Sequence, residues 1–169
     1  MPAKKWLHPF KLCQQHVQLR GQIALAGLPD VTPVLSSDHG VVTYDLACDY
    51  DDEGIARLRL CLSAELPLVC QRCLQTMNWP VECMTLLSPV RTDAAEQQLP
   101  AAYEPLQVSA TGSVLLSDLL TEELWLVMPQ LPTHTEQCVV QADYFATADT
   151  ATETPRSPFA VLRELQLNP

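Results

Sequence analysis

Residues 55–66, IARLRLCLSAEL, hold the pattern on which the fold turns. Leu58, Leu60, Leu62, Ala64 and Leu66 alternate there with Arg57, Arg59, Cys61, Ser63 and Glu65. A period of two puts the leucines on one face of a strand and the charges on the other, so this strand is half-buried. Just before it, VVTYDLACDY (41–50) and the turn residues DDEG (51–54) complete an antiparallel hairpin. Beyond Pro67 the chain passes Cys70 and Cys73 and returns as WPVECMTLLSPV (79–90), a second apolar and β-branched run. The CxxC pair is therefore expected at or near the turn between two strands.

Outward from this centre the signals are weaker. HVQLRGQIAL (16–25) reads as one strand in an otherwise Pro- and Gly-punctuated stretch, and Gly27, Pro29, Pro33 and SSDHG (36–40) read as loop. RTDAAEQQLPAAYEP (91–105) is polar surface loop, and PLQVS (105–109) a short strand. SVLLSDLLTEELWLVMP (113–129) is the best helix. Leu116, Leu119, Leu120, Leu124 and Val127 recur at helical spacing, with Ser117, Asp118, Thr121 and Glu122 opposite. Acids near its start suit the helix dipole, Pro129 ends it, and the all-apolar last turn, Trp125–Met128, is expected to be buried. QADYFATADTATETPRSP (141–158) is a linker, and SPFAVLREL (157–165) offers a short amphipathic helix capped by Ser157, with Pro158 at its first position. The expected fold class is α+β: an antiparallel sheet, with barrel-like closure left open, one long packed helix and a short C-terminal helix. A single domain spans 1–145, its first 40 residues a less regular arm, followed by linker and helix in 146–169.

Composition narrows the function. The chain is 169 residues long and 47% apolar, enough for a substantial core, and its apolar runs are too short to span a bilayer. The N-terminus carries lysines with no apolar stretch after them, so no secretory signal is read, and seven cysteines then point to a reducing cytoplasm. Net charge is −10 and uneven. Residues 1–29 hold Lys4, Lys5, Lys11 and Arg20 and no acid, whereas eleven acids and only two arginines follow Thr92. Such a chain gains little from a nucleic-acid backbone except through its basic arm. Its acidic half suits basic partners, although acidic surfaces also serve solubility alone. G-x-S-x-G, P-loop, dinucleotide and H-E-x-x-H motifs are absent, and no active site or small-molecule substrate is expected.

Cys70 and Cys73 can bite one tetrahedral zinc, which needs two more ligands. His134 and Cys138, in LPTHTEQC (131–138), have the spacing of a second half-site and complete a Cys3His set. Ordinary thiols are the competing reading. A thiol–disulfide role is a third, but it wants the pair at a helix N-terminus, and no helical pattern begins at Cys73. Cys48 and Cys83 fit core packing, Cys61 lies on a polar strand face, and Cys13 with His16 lacks a second pair nearby. His8 and His39 read as surface residues.

The order of motifs resembles the YceD family of large ribosomal RNA subunit accumulation proteins over about residues 58–165. It rests on CQRCL, SPVRTDAAEQQLPAAYEPL, the acidic helix ending LVMPQLPTH, Cys138 and SPFAVLREL. The resemblance implies a non-enzymatic cytoplasmic factor for synthesis, processing or stability of 23S ribosomal RNA. It also implies paired metal ligands at Cys70 and Cys73 and at His134 and Cys138, His134 replacing the family's commoner cysteine. The expected partner is a basic ribosomal protein or assembly factor. Contact of Lys4, Lys5, Lys11 and Arg20 with ribosomal RNA is the weaker alternative, and the Cys70–Cys73 redox role remains a separate reading.

Overall fold

Alternating burial along the 55–66 stretch is what the molecule is built on. The computed structural model describes residues 5–135 and 138. Seven strands and three α-helices are formed in them: β1 (Trp6–Leu7), α1 (Pro9–Gln14), β2 (Gln18–Ala24), β3 (Val41–Tyr50), β4 (Ala56–Val69), β5 (Thr76–Val90), α2 (Asp93–Glu96), β6 (Glu104–Gln107), β7 (Val114–Leu115) and α3 (Leu116–Val127). Residues up to Cys138 make one compact unit. The linker and short helix expected within 146–169, and Lys4, lie outside the described residues.

The main sheet has five strands in the order β2-β3-β4-β5-β6, open rather than closed into a barrel. In β4 Leu58, Leu60, Leu62 and Leu66 are buried, while Arg59, Cys61, Ser63 and Glu65 face water. The register carries this division across the sheet: Tyr44 lies opposite Leu62, Leu46 opposite Leu60 and Cys48 opposite Leu58. On the other side Leu87 faces Leu58, Cys83 faces Leu62 and Trp79 faces Leu66. The β3–β4 turn is closed by Asp51, whose carboxylate accepts from the backbone N–H groups of Glu53 and Ile55. Gly54, at φ 80, takes the left-handed position that such a turn requires.

Prolines in long strands need an explanation, because each lacks a ladder donor. Pro67 lies beyond Ala64, the last β4 residue paired with β3, and Pro80 lies well before Leu87, where pairing with β6 begins. Each proline thus has one strand side without a ladder. β6 runs parallel to β5, which the alternation did not foretell. A parallel neighbour needs a crossover of roughly a dozen residues. The 91–103 segment supplies it, and within it the Thr92 hydroxyl caps the short helix α2 by accepting from the Ala95 N–H.

Helix α3 lays Leu116, Leu119, Leu120 and Leu124 into the core. Its remaining faces depart from expectation. Thr121 is buried, as is Glu123, whose carboxylate accepts from the Thr85 hydroxyl at 2.7 Å. The last turn is not buried: Trp125 is 45% and Leu126 70% exposed. Only Val127 and Met128 of that turn reach the core. An isolated apolar turn does not say which way its side chains point, and here the helix axis carries two of them outward. Strand β1 pairs with β7, and Leu116 N–H bonds to the Lys5 carbonyl, so the N-terminal segment is fastened to the start of α3.

Candidate metal centre

The tip of the β4–β5 hairpin projects past β3 and ends in residues 70–75. Two backbone bonds shape it: Cys70 N–H to the Gln75 carbonyl and Leu74 N–H to the Cys70 carbonyl, at 2.9 and 2.8 Å. Leu74 adopts φ 60 to complete the tight turn, which brings Cys73 back beside Cys70. The second half of the site comes from the irregular segment after α3. Gln71 N–H donates to the Pro132 carbonyl at 2.8 Å and so pins that segment to the turn. The spacing expected from the sequence is thereby realised as a contact across the fold.

Ligand atoms of Cys70, Cys73, His134 and Cys138 all lie within 4.8 Å of one another. The Cys70 and Cys138 Sγ atoms are 3.9 Å apart, and Cys73 Sγ lies 3.5 Å from His134 Nδ1. A tetrahedral zinc with its usual bond lengths sets S···S and S···N edges of about 3.8 and 3.6 Å. The donor set and its spacing therefore fit one structural zinc. Cys70 is fully buried and the other three are partly so. Among the described residues no other such group of three or more ligands is formed.

Electrostatics favour thiolate at two of the sulfurs. Burial raises the Cys70 pKa, but backbone donors of Cys73, His134 and Arg72 outweigh it and pull the thiol down to about 5. Burial likewise opposes ionisation of Cys138, and the Arg72 and His134 side chains overcome it. His134 is raised in turn by Cys138 and Cys70, which favour its charged form. Thiolate is the form that binds metal, and it is also the nucleophile of redox chemistry. The setting differs from a redox site: the pair lies between antiparallel strands, and no helix begins beside it among the described residues.

Of the four basic residues expected at a contact surface, the described ones are not gathered. Lys5 reaches Tyr44, its Nζ 3.5 Å from the hydroxyl, on the buried side of the sheet. Arg20 is on the opposite side, its Nε 2.8 Å from Asp45 Oδ2, and Lys11 is exposed on α1. Cys48 is buried, Cys61 exposed and Cys83 partly buried against the core. What sequence reasoning missed is Arg72, one of the two residues between Cys70 and Cys73. Its Nε donates to Cys138 Sγ at 2.8 Å and its terminal nitrogen to the His134 carbonyl at 3.3 Å. A cation inside the CxxC was the available signal.

Together the fold and cluster define a small α+β protein whose hairpin tip and post-helical segment meet at a Cys3His site. The chain belongs to the family described as large ribosomal RNA subunit accumulation protein YceD, whose profile matches residues 58–166. It is also 29% identical over 161 residues to the large ribosomal RNA subunit accumulation protein YceD of Haemophilus influenzae (strain ATCC 51907 / DSM 11121 / KW20 / Rd), covering 94% of this chain and 92% of that one. No solved structure gives a significant match. No helix among the described residues is long and apolar enough to cross a membrane.

Proposed function

We propose that this chain is a non-enzymatic cytoplasmic factor for accumulation of large-subunit (23S) ribosomal RNA, acting through protein contacts during subunit assembly. The family match over residues 58–166 carries this reading, because it takes in both halves of the cluster and the helix between them. Cys70, Cys73, His134 and Cys138 would hold one structural zinc. Four protein ligands leave no open position for a reacting water, so the metal would clip two distant segments rather than catalyse. Asp93, Glu104, Asp118 and Glu122 are exposed and supply, with the acidic composition after Thr92, the field for a basic ribosomal protein or assembly factor. Lys5, Lys11 and Arg20 are the candidates for a minor contact with RNA phosphate.

The test is genetic and direct. A strain lacking the protein should show depressed 23S relative to 16S ribosomal RNA and fewer large subunits on a sucrose gradient, both restored by the intact gene. Unchanged ratios would sink the reading. Neutralising Asp93, Glu104, Asp118 and Glu122 together should abolish rescue with the fold intact; full rescue would remove the acidic surface from the mechanism.

The Cys70–Cys73 redox alternative keeps one favourable observation, the depressed Cys70 thiol. Alkylation decides between them. Thiols that react with iodoacetamide only after a chelator is added support zinc, whereas metal-free, fast-reacting Cys70 supports thiol–disulfide exchange.

A further inference from the structure

We propose that Arg72 is the positioning residue of the cluster: it fixes Cys138 and the His134 backbone against the Cys70–Cys73 turn and supplies the charge that a Cys3His zinc site lacks. The inference rests on the zinc reading above. Three thiolates and a neutral imidazole around a divalent ion leave a net charge of about −1. Cys70 is buried and the rest of the site half-buried, where an uncompensated charge is costly. Arg72 is placed to cancel it.

The geometry goes beyond proximity. Arg72 belongs to the hairpin tip, while the His134 carbonyl and the Cys138 sulfur it reaches lie on the other half of the site, 62 and 66 residues further along the chain. One guanidinium spans a ligand's sulfur and another ligand's carbonyl, which a point-charge ammonium cannot do with the same fixed angle. Among the described residues the neighbouring Gln71 side chain makes no such link; it turns back to the Val69 carbonyl within its own strand end. The two ligand halves are therefore held in register by a residue that is not itself a ligand. Such outer partners typically alter metal affinity by about 10–100-fold when removed.

The experiment titrates the full-length protein with zinc against a chromophoric chelator, for wild type, Arg72→Gln, Arg72→Lys and Gln71→Ala. Cobalt replaces zinc in a parallel series to read the sulfur-to-metal charge-transfer band. Arg72→Gln should weaken zinc binding by about 10–100-fold. It should also move the cobalt band to lower energy, because Cys138 sulfur loses its donor. Arg72→Lys should recover part of the affinity, and Gln71→Ala should match wild type in both readouts. An unaltered affinity and band in Arg72→Gln would overturn the role of Arg72 and leave the zinc reading standing. If wild type takes up neither metal, both fall. Should Arg72→Gln fail to fold by circular dichroism, Arg72→Lys decides: wild-type affinity and band position there would overturn the positioning role.

Discussion

Leu74 combines a left-handed backbone, φ 60, with a side chain that is 71% exposed, so it carries strain without packing in return. A left-handed conformation costs a non-glycine residue roughly 1–2 kcal/mol. Leu74→Gly should accordingly raise stability in urea unfolding by about 1 kcal/mol, less the entropy glycine adds to the unfolded chain. A loss of stability would mean that the leucine side chain contributes something its exposure hides. Glu123 is a second residue at odds with its surroundings. Burial raises its pKa despite the Thr85 hydroxyl, with Glu104 and Glu122 adding to the rise. An acid raised in the folded state costs nothing while both states are protonated. As pH climbs above the ordinary carboxylate range the unfolded chain releases its proton first, and stability falls until the raised value is passed. Glu123→Gln should keep the Thr85 contact, remove that part of the pH slope and raise stability at neutral pH. Urea midpoints measured from mildly acidic to neutral pH check it, and parallel curves for the two proteins would contradict it.

At the scale of elements, the Tyr44 side chain of β3 packs over Gly21, its cross-strand partner in β2. A Cβ at Gly21 would lie 2.7 Å from the Tyr44 hydroxyl and 3.0 Å from the ring carbon that carries it. Tyr44 is buried and its hydroxyl is engaged by Lys5, so the ring has little freedom to yield. Gly21→Ala should cost about 1–3 kcal/mol, the usual penalty of overpacking. Tyr44→Phe in that background should return part of it; no recovery would place the strain in the backbone instead. Which elements could be read from the chain follows from the kind of signal each carries. β4 declared itself because alternation encodes both a strand and its buried face, β3 through the DDEG turn that joins it to β4, and β5 as an apolar, β-branched run. The cluster was legible as a CxxC and an HxxxC. Two features were not. Trp125 and Leu126 gave an apolar last turn to α3 without its direction, and the four-residue β6 is too short for a pattern to tell parallel from antiparallel. Arg72 was visible as a cation inside the CxxC, but a lone arginine carries no mark of the distant groups it will reach.

For the whole molecule, metal and fold should be coupled. A group that binds only the folded state stabilises it by about 4 kcal/mol when free at a thousand times its dissociation constant. Removing metal with a chelator should therefore lower the thermal midpoint reversibly, and Cys70→Ser should show the lower midpoint with or without chelator. Equal midpoints for wild type in both conditions would show that the site contributes nothing to stability. The sheet and α3 possess a core of their own, so the chelated protein should lose stability rather than secondary structure.

The spacing of the cluster has a consequence for how the protein is made. Cys70 and Cys73 leave the ribosome directly after β4, but His134 and Cys138 follow only after β5, β6 and α3 have been synthesised. At ordinary elongation rates of about 5–20 residues per second, that interval lasts ~3–13 s. During it the hairpin tip presents half a site. Closure then waits until residue 138 has been made, and a product truncated before His134 lacks half of the set.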